Sequence, residues 1–178
     1  GRLHHPNVIR LITHEEDDLG NVSAILMEHG GVALFELVIN RVPIDYEHAI
    51  RSMCNAIVYL HSVDIYHRDL KLENMTIDKH GTIRIIDFGL AKLSPTTSIM
   101  MKRCGSIAYL PPEVDGRSKY CGALADTWSL GVCIFSLLHC YFPFQIASKD
   151  DWRFKKVQIR QNLTNSSAGT CRYIASFY

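Results

Sequence analysis

A large net charge, paired cysteines and a long apolar run are all missing from this sequence. Its 178 residues carry 19 lysine and arginine against 18 aspartate and glutamate side chains, so the net charge of +1 gives no general attraction to nucleic acid or to an anionic membrane. None of the six cysteines forms a C-x-x-C pair or a zinc-finger spacing with histidine. We therefore expect reduced thiols, a cytoplasmic location with a nuclear one also open, and no nucleic-acid partner.

A membrane span is not indicated either. The most apolar run, residues 129–144, is shorter than the roughly 20 residues that a span needs, and it contains His139 and Pro143. A buried helix is the simpler interpretation, and we expect no membrane partner. With 47% hydrophobic residues the chain can bury a core, and its length favours one domain.

Lysine is absent from the first 70 residues, and Lys71 is the first in the chain. No G-x-G-x-x-G sequence occurs at any position. The 178 residues therefore contain no glycine-rich loop of the kind that covers nucleotide phosphates.

Hydrophobic periodicity indicates a mixture of strands and helices. Residues 8–13 and 22–27 are apolar or β-branched runs around an acidic, glycine-containing segment, which predicts two strands and a loop. Helices are predicted over residues 33–39, 46–61 and 125–138.

Asp45 is placed to cap the second of these helices. The apolar face of that helix has five members: Ile50, Met53, Cys54, Ile57 and Leu60. We expect a mobile loop over residues 93–108 and a solvated helix and loop over residues 145–178.

Two short strand-like runs, residues 75–77 and 82–86, flank a turn that ends in glycine, which predicts a β-hairpin. The register that we expect places Asn74 opposite Ile85. Asn74 then lies at the open end of the hairpin, close to Asp87.

Oxygen-bearing side chains should meet at this open end. Asn74 and Asp87 supply hard oxygen ligands, and Asp69 lies in the loop that leads to the same place. Mg²⁺ that carries phosphates needs only a few such ligands from the protein. Lys71 can neutralise a phosphoryl group there. The alternative is structural: Asp69 and Asn74 cap a turn, and Asp87 ends an ordinary strand.

Six segments together resemble eukaryotic-type protein kinases. The match covers about residues 1–146, and the sequence CGSIAYLPPE is similar to the calmodulin-dependent and AMP-activated groups. The segments are HHPNVIRL (4–11), MEHGG (27–31), HRDLKLEN (67–74), DFG (87–89), CGSIAYLPPE (104–113) and ADTWSLGV (125–132).

The resemblance implies an α+β fold of the protein-kinase type. Residues 1–31 correspond to two remaining strands of the small lobe and the interlobe hinge, and residues 32–178 to a mostly helical large lobe that is truncated at its C-terminal end. Because the glycine-rich loop and the ATP-binding lysine have no counterpart here, we expect this chain alone to be weakly active or inactive.

The resemblance also assigns roles to the polar cluster. Asp69 accepts or orients the proton of the substrate hydroxyl, and Lys71 contacts the transferred phosphoryl group. Ser106 hydrogen-bonds to both of them. Asn74 and Asp87 hold Mg²⁺.

ATP is the implied cosubstrate. By resemblance its adenine lies against the hinge, which we define as residues 27–31. The residues implied to contact ATP are Met27, Glu28, His29, Gly30 and Thr76, of which Thr76 lies under the base.

Further residues gain roles from the same resemblance. Arg68 binds a phosphate on the activation segment, of which residues 104–113 form the end. His67, Phe88 and Leu11 stack in a packed spine that links the lobes. Asp126 hydrogen-bonds to the backbone of the catalytic loop, which corresponds to residues 67–74, or alternatively caps a helix. Glu73 contacts basic residues of a target, or is simply solvated.

The function implied is transfer of the ATP γ-phosphate to Ser or Thr hydroxyls of a protein substrate, with any regulatory protein left open. One alternative is a non-catalytic, pseudokinase-like binding module. Another is a small-molecule phosphotransferase, which Arg68, Lys71 and the 104–113 segment disfavour because they serve a protein substrate.

Overall fold

The computed structural model describes residues 3–114, 116 and 118–164, with the backbone alone for residues 159–164. Small antiparallel sheets alternate with helices in this part of the chain. In chain order the elements are β1 (Leu11–Glu16), β2 (Val22–Met27), β3 (Val32–Ala33), α1 (Leu34–Ile39), α2 (Tyr46–Ser62), β4 (Ile65–Tyr66), β5 (Met75–Ile77), β6 (Ile83–Ile85), β7 (Lys92–Leu93), β8 (Ile99–Met100), β9 (Tyr120–Cys121), α3 (Gly122–His139) and α4 (Trp152–Thr164).

Helices α1 and α2 form where the periodicity predicts them. Helix α2 begins after Asp45 because the Oδ1 of that residue accepts a hydrogen bond from the backbone N–H of His48 at 3.0 Å. Met53 and Leu60 on its apolar face are fully buried. The cap and the face are therefore confirmed.

Helix α3 is the central helix of the core. It begins three residues earlier than predicted, and its Cys133 and Leu137 are fully buried. Within the described residues it is the one helix that is long and apolar enough to cross a membrane. Half of it is buried inside the protein, where it packs against α2, and a core helix passes the same test.

The hairpin of β5 and β6 is confirmed, but the expected register was wrong by one residue. Met75 pairs with Ile85, so Asn74 lies beside Ile86 instead of Ile85. The cause is the turn, which Asp78 closes by donating its backbone N–H to the carbonyl of Thr82 at 3.1 Å.

Asp78 also fixes the inside of that turn. Its Oδ1 accepts hydrogen bonds from the backbone N–H groups of His80 at 2.8 Å and Thr82 at 3.0 Å. Gly81 takes a φ of 82°, which side-chain-bearing residues rarely adopt. The extra residue in the turn brings Asn74 one step nearer to Asp87 than we expected.

The segment before β1 lies alongside the hairpin. The predicted strand over residues 8–13 was wrong in its start, since β1 begins at Leu11. Val8 forms a parallel bridge to Ile85, and the side chain of Asn7 donates to the carbonyl of Ile83 at 2.8 Å. These contacts supply partners for the outer edge of β6, so Val8 is buried instead of continuing the strand.

Residues 93–108 contain more structure than the loop that we expected. Strand β7 pairs with β4, and β8 pairs with β9. Met100 is almost fully buried by the second pairing. Local sequence does not reveal these strands because each has two residues and its partner lies far away in the chain.

Helix α4 forms where a solvated C-terminal helix was predicted, but it is not solvated on all sides, because its Phe154 is buried. Asp151 precedes it, and its Oδ1 accepts from the backbone N–H groups of Arg153 at 2.8 Å and Phe154 at 3.2 Å. Phe154 is buried against the rings of Trp128 and Phe144. The loop predicted after this helix falls in residues 165–178, outside the described residues.

Candidate active site

Asp69, Lys71 and Ser106 meet in one hydrogen-bonded cluster. The Oδ1 of Asp69 accepts from the backbone N–H of Ser106 at 2.8 Å and from its hydroxyl at 2.9 Å. The ammonium of Lys71 lies 3.1 Å from the Oδ2 of Asp69 and 3.1 Å from the Oγ of Ser106. The three residues predicted to be catalytic are therefore in direct contact.

Asn74 joins the cluster from the start of the hairpin. Its Nδ2 donates to the backbone carbonyl of Asp69 at 3.0 Å and to the Oδ2 of Asp69 at 3.3 Å. The alternative that Asn74 stabilises a turn is thus correct for its amide nitrogen. The amide oxygen is the atom that remains for a cation.

Asp87 follows directly after the residue that pairs with Asn74. The backbone N–H of Ile86 donates to the carbonyl of Asn74 at 2.9 Å. The Asp87 side chain is exposed, and its Oδ1 accepts from the N–H of Gly89 at 3.1 Å. The structure therefore places the two predicted metal ligands at the same end of the hairpin.

Magnesium suits these donors. The described residues contain no group of three or more His, Cys, Asp or Glu side chains that would hold a metal by themselves. One carboxylate and one amide oxygen are enough for Mg²⁺, which takes its other ligands from phosphates and water. The backbone has a positive φ at two positions of this site, 66° at Arg68, next to Asp69, and 60° at Asp87. Such conformations cluster at functional sites.

The catalytic loop is anchored from α3. Asp126 is 1% exposed, and its carboxylate accepts from the backbone N–H groups of His67 at 2.8 Å and Arg68 at 2.7 Å. The helix-cap alternative for Asp126 was wrong, because the cap position of α3 is Cys121. His61 also contacts this carboxylate, with 3.0 Å between its Nε2 and the Oδ2 of Asp126. The contact of His61 was not predicted, since nothing in the local sequence pattern marks this residue.

His67 connects the two halves of the site. Its Nε2 lies 3.0 Å from the carbonyl of Ile86, and its Nδ1 accepts from the backbone N–H of Asp69 at 3.4 Å. Complete burial lowers the pKa of His67, so the ring is neutral at neutral pH with the proton on Nε2. The edge-to-face contact with Phe88 has a centroid distance of 5.0 Å, which agrees with the predicted stacking.

Gly105 allows the activation segment to approach the catalytic loop. A Cβ at this position would lie 2.5 Å from the carbonyl oxygen of Arg68, and the backbone has a φ of 102°. The next residue, Ser106, makes both hydrogen bonds to Asp69. This glycine belongs to the 104–113 segment, but the sequence alone did not reveal its role.

Only some of the residues implied to contact ATP lie close together in the structure. Gly30 packs against Thr76, because a Cβ on Gly30 would lie 2.5 Å from the Oγ1 of Thr76. The side chains of Met27 and His29 are exposed. Glu28 turns its carboxylate to the backbone N–H of Arg10 at 2.9 Å, so its side chain lies against protein.

Arg68 and Glu73 have protein partners as well. The Nε of Arg68 donates to the carbonyl of Leu90 at 2.7 Å, just after the DFG sequence. Glu73 is exposed, but its Oε2 accepts from the hydroxyl of Tyr109 at 3.0 Å. The phosphate-binding role of Arg68 and the target-binding role of Glu73 stay predictions.

The environment of Asp69 favours its charged form. Burial alone would raise the pKa of its carboxyl group, but hydrogen bonds from Lys71 and Ser106 outweigh burial and hold the pKa below its ordinary value. The group is therefore a carboxylate at neutral pH and can accept a hydrogen bond from an alcohol.

This lowered pKa makes a testable link between pH and stability. The stabilisation that comes from ionised Asp69 is complete above the ordinary pKa of about 4 and is lost as the pH falls through the lowered pKa of the folded state. We expect the free energy of unfolding of the wild type, relative to that of Asp69→Asn, to decrease from about pH 4 downward. Urea unfolding measured from neutral pH to about pH 3 checks this. A difference that stays constant would contradict the assigned hydrogen bonds.

Comparison with known families decides the identity of the fold. A family model described as the protein kinase domain matches residues 1–174. The chain belongs to the protein kinase family. The predicted α+β kinase-like fold is thereby confirmed.

Individual protein kinases resemble the chain over most of its length. It is 38% identical over 149 residues to CBL-interacting protein kinase 33 of Oryza sativa subsp. japonica, in a match that covers 80% of this chain and 33% of that protein. It is 36% identical over 146 residues to NUAK family SNF1-like kinase 2 of Rattus norvegicus, with coverage of 80% and 23%. The predicted likeness to Ser/Thr kinases of the calmodulin-dependent and AMP-activated kind is confirmed.

A third relative has a similar extent of match. Probable serine/threonine-protein kinase MARK-B of Dictyostelium discoideum is 34% identical over 151 residues, which is 82% of this chain and 21% of that protein. The chain thus spans about a third or less of the length of these curated relatives.

Proposed function

We propose that this protein is a Ser/Thr protein kinase that transfers the γ-phosphate of ATP to a hydroxyl group of a protein substrate. The observation that carries the proposal is the cluster of Asp69, Lys71 and Ser106, with Asn74 hydrogen-bonded to Asp69. A carboxylate held between an ammonium and a hydroxyl is preorganised to orient an acceptor alcohol.

Each residue of the cluster has a separable task. Asp69 would accept a hydrogen bond from the substrate hydroxyl and hold it in line for attack. Lys71 would stabilise the negative charge that spreads over the transferred oxygens. Ser106 would keep both side chains in position, since it bonds to each of them.

Nucleotide and metal fit the neighbouring residues. Bound Mg-ATP would supply the phosphoryl group and partly neutralise its charge. Asn74 and Asp87 would hold the cation through their side-chain oxygens. Gly30 and Thr76, which are in contact, would form one wall of the adenine site.

The proposal can be tested by the choice of acceptor. The full-length protein is incubated with Mg-ATP labelled on the γ-phosphate and with matched Ser, Thr and Tyr peptides, alongside aminoglycoside- and choline-like alcohols. We expect label on Ser and Thr peptides alone. Transfer to a small alcohol but to no peptide would instead support a small-molecule phosphotransferase.

A non-catalytic binding module is the second candidate, because the first 70 residues contain no lysine. In that case the protein would bind Mg-ATP or a partner but transfer no phosphate to any peptide. Titration of the same protein with Mg-ADP separates loss of binding from loss of transfer.

We also propose a cytoplasmic location. The described cysteines carry free thiols, as is usual in reducing compartments. They are Cys54, Cys104, Cys121, Cys133 and Cys140. The names of several relatives contain the words CBL-interacting, so a regulatory partner of that kind is a proposal for the full-length protein.

A further inference from the structure

A chain of charged groups joins the hinge to the hairpin, outside the cluster around Asp69. The Nε of Arg84 lies 3.3 Å from the Oε1 of Glu28, and its Nη1 lies 2.8 Å from the Oδ2 of Asp78. All three side chains are largely buried, with exposed fractions of 25% for Glu28, 18% for Arg84 and 19% for Asp78. Water therefore screens these ion pairs less than it screens an exposed pair.

Glu28 is held at the hinge from two sides. The same Oε1 that faces Arg84 accepts a hydrogen bond from the backbone N–H of Arg10 at 2.9 Å, and the N–H of Glu28 donates to the carbonyl of Arg10 at 3.0 Å. The hinge backbone is consequently fixed where the guanidinium of Arg84 meets it.

Arg84 lies on the face of the hairpin that also carries Thr76. The two residues are direct partners across β5 and β6, and the hydroxyl of Thr76 donates to the carbonyl of Arg84 at 3.4 Å. Thr76 in turn packs against Gly30 of the hinge. The opposite face of β6 points into the core, where Ile83 and Ile85 are fully buried.

Asp78 anchors the other end of the guanidinium. Its second carboxylate oxygen closes the hairpin turn through His80 and Thr82. The hydrogen bond from Arg84 is the first cause of a pKa for Asp78 well below its ordinary value. The side chain of Arg84 thus links the turn of the hairpin to the hinge. Its planar guanidinium has several N–H donors and can bind both carboxylates at once, which a lysine ammonium does less well.

We propose that Arg84 is a positioning residue that fixes the hinge against the hairpin and thereby sets the affinity of the site for the nucleotide. The hinge is the segment proposed to contact adenine, and the open end of the same hairpin carries Asn74 and leads to Asp87. Arg84 therefore controls the separation between the base-binding and the metal-binding parts. This inference rests on the proposed function.

The principal test replaces Arg84 by methionine in the full-length protein. We expect KM for ATP and Kd for Mg-ADP to rise about tenfold, while KM for the peptide and kcat change by less than about twofold. In the nucleotide-free protein, hydrogen exchange of the amides of residues 28–31 should become faster. Arg84→Lys should restore part of the affinity, because an ammonium can pair with one carboxylate.

Arg51→Met is the matched control. Arg51 also forms an ion pair, with 2.9 Å between its Nη2 and the Oε1 of Glu47, but this pair is exposed on α2 and far from the hinge in sequence. We expect it to leave both KM values and the exchange at the hinge unchanged.

A second variant protects the test against misfolding of the first. Glu28→Gln keeps an acceptor for the N–H of Arg10 but removes the charge facing Arg84. Its effect on Kd for Mg-ADP should not add to that of Arg84→Met in the double variant, since both break the same pair. Full additivity, or an equal rise in KM for ATP and peptide, would overturn the inference.

Failure of this inference differs from failure of the proposed function. A wild type that binds Mg-ADP but phosphorylates nothing would disprove the kinase assignment, whereas the titration and the exchange experiment would still report on Arg84. Normal transfer with unchanged nucleotide affinity in Arg84→Met would disprove the positioning role alone.

Discussion

Replacing Asp69 by asparagine is expected to lower kcat for peptide phosphorylation by about 10²- to 10⁴-fold. The amide has almost the same shape and can still accept the two hydrogen bonds from Ser106. It cannot carry the negative charge that pairs with Lys71 and attracts the proton of the acceptor hydroxyl. KM for ATP should change by less than about threefold, because Asp69 does not belong to the proposed nucleotide contacts.

Asp45→Asn is the matched control for this prediction. Asp45 caps α2 through the backbone N–H of His48, and asparagine caps helices about as well as aspartate. Steady-state kinetics of both variants, with the unfolding temperature of each, separate chemistry from folding. If Asp69→Asn keeps the wild-type kcat, the cluster is not the catalytic centre.

Gly105→Ala is expected to remove most of the activity and to destabilise the fold. The new Cβ would lie 2.5 Å from the carbonyl oxygen of Arg68, so the activation segment or the catalytic loop must move. The backbone φ of 102° adds strain of about 1–3 kcal/mol. Because Ser106 would shift away from Asp69, we expect kcat to fall about 10²-fold.

Gly81→Ala separates the clash from the backbone strain. Gly81 also has a positive φ, of 82°, but nothing lies within 4 Å of a Cβ built there. It should cost only about 1–2 kcal/mol of unfolding free energy and leave kcat near that of the wild type. Urea unfolding and initial rates measure both effects. Equal losses in the two variants would show that contact with Arg68 is unimportant.

The polar cluster was predictable because its members are close in sequence or joined by one hairpin. Asp69, Lys71 and Asn74 lie within six residues, and a tight turn brings Asp87 back to them. The turn itself was the weak point of the prediction. Hydrogen bonds from the Asp78 side chain enlarge it by one residue, and apolar alternation cannot reveal such bonds.

Contacts between distant segments could not be predicted from sequence patterns. His61 reaches Asp126 across 65 positions, and Gly105 approaches a catalytic loop that lies far before it in the chain. The alternation of the strand places Arg84 only on the face opposite to Ile83 and Ile85. Its role depends on Glu28, whose position follows from packing that no local periodicity describes.

Sequence separation also has a consequence for synthesis on the ribosome. Asn7 finds the carbonyl of Ile83 only 76 positions later in the chain. At 5–20 residues per second this corresponds to a delay of roughly 4–15 s, during which residues 7–9, just ahead of β1, have no hairpin to dock on. Several apolar side chains of β1 and β2, Ile25 and Leu26 among them, remain exposed in this structure as well. We therefore expect the nascent chain to bind chaperones that shield apolar segments during translation.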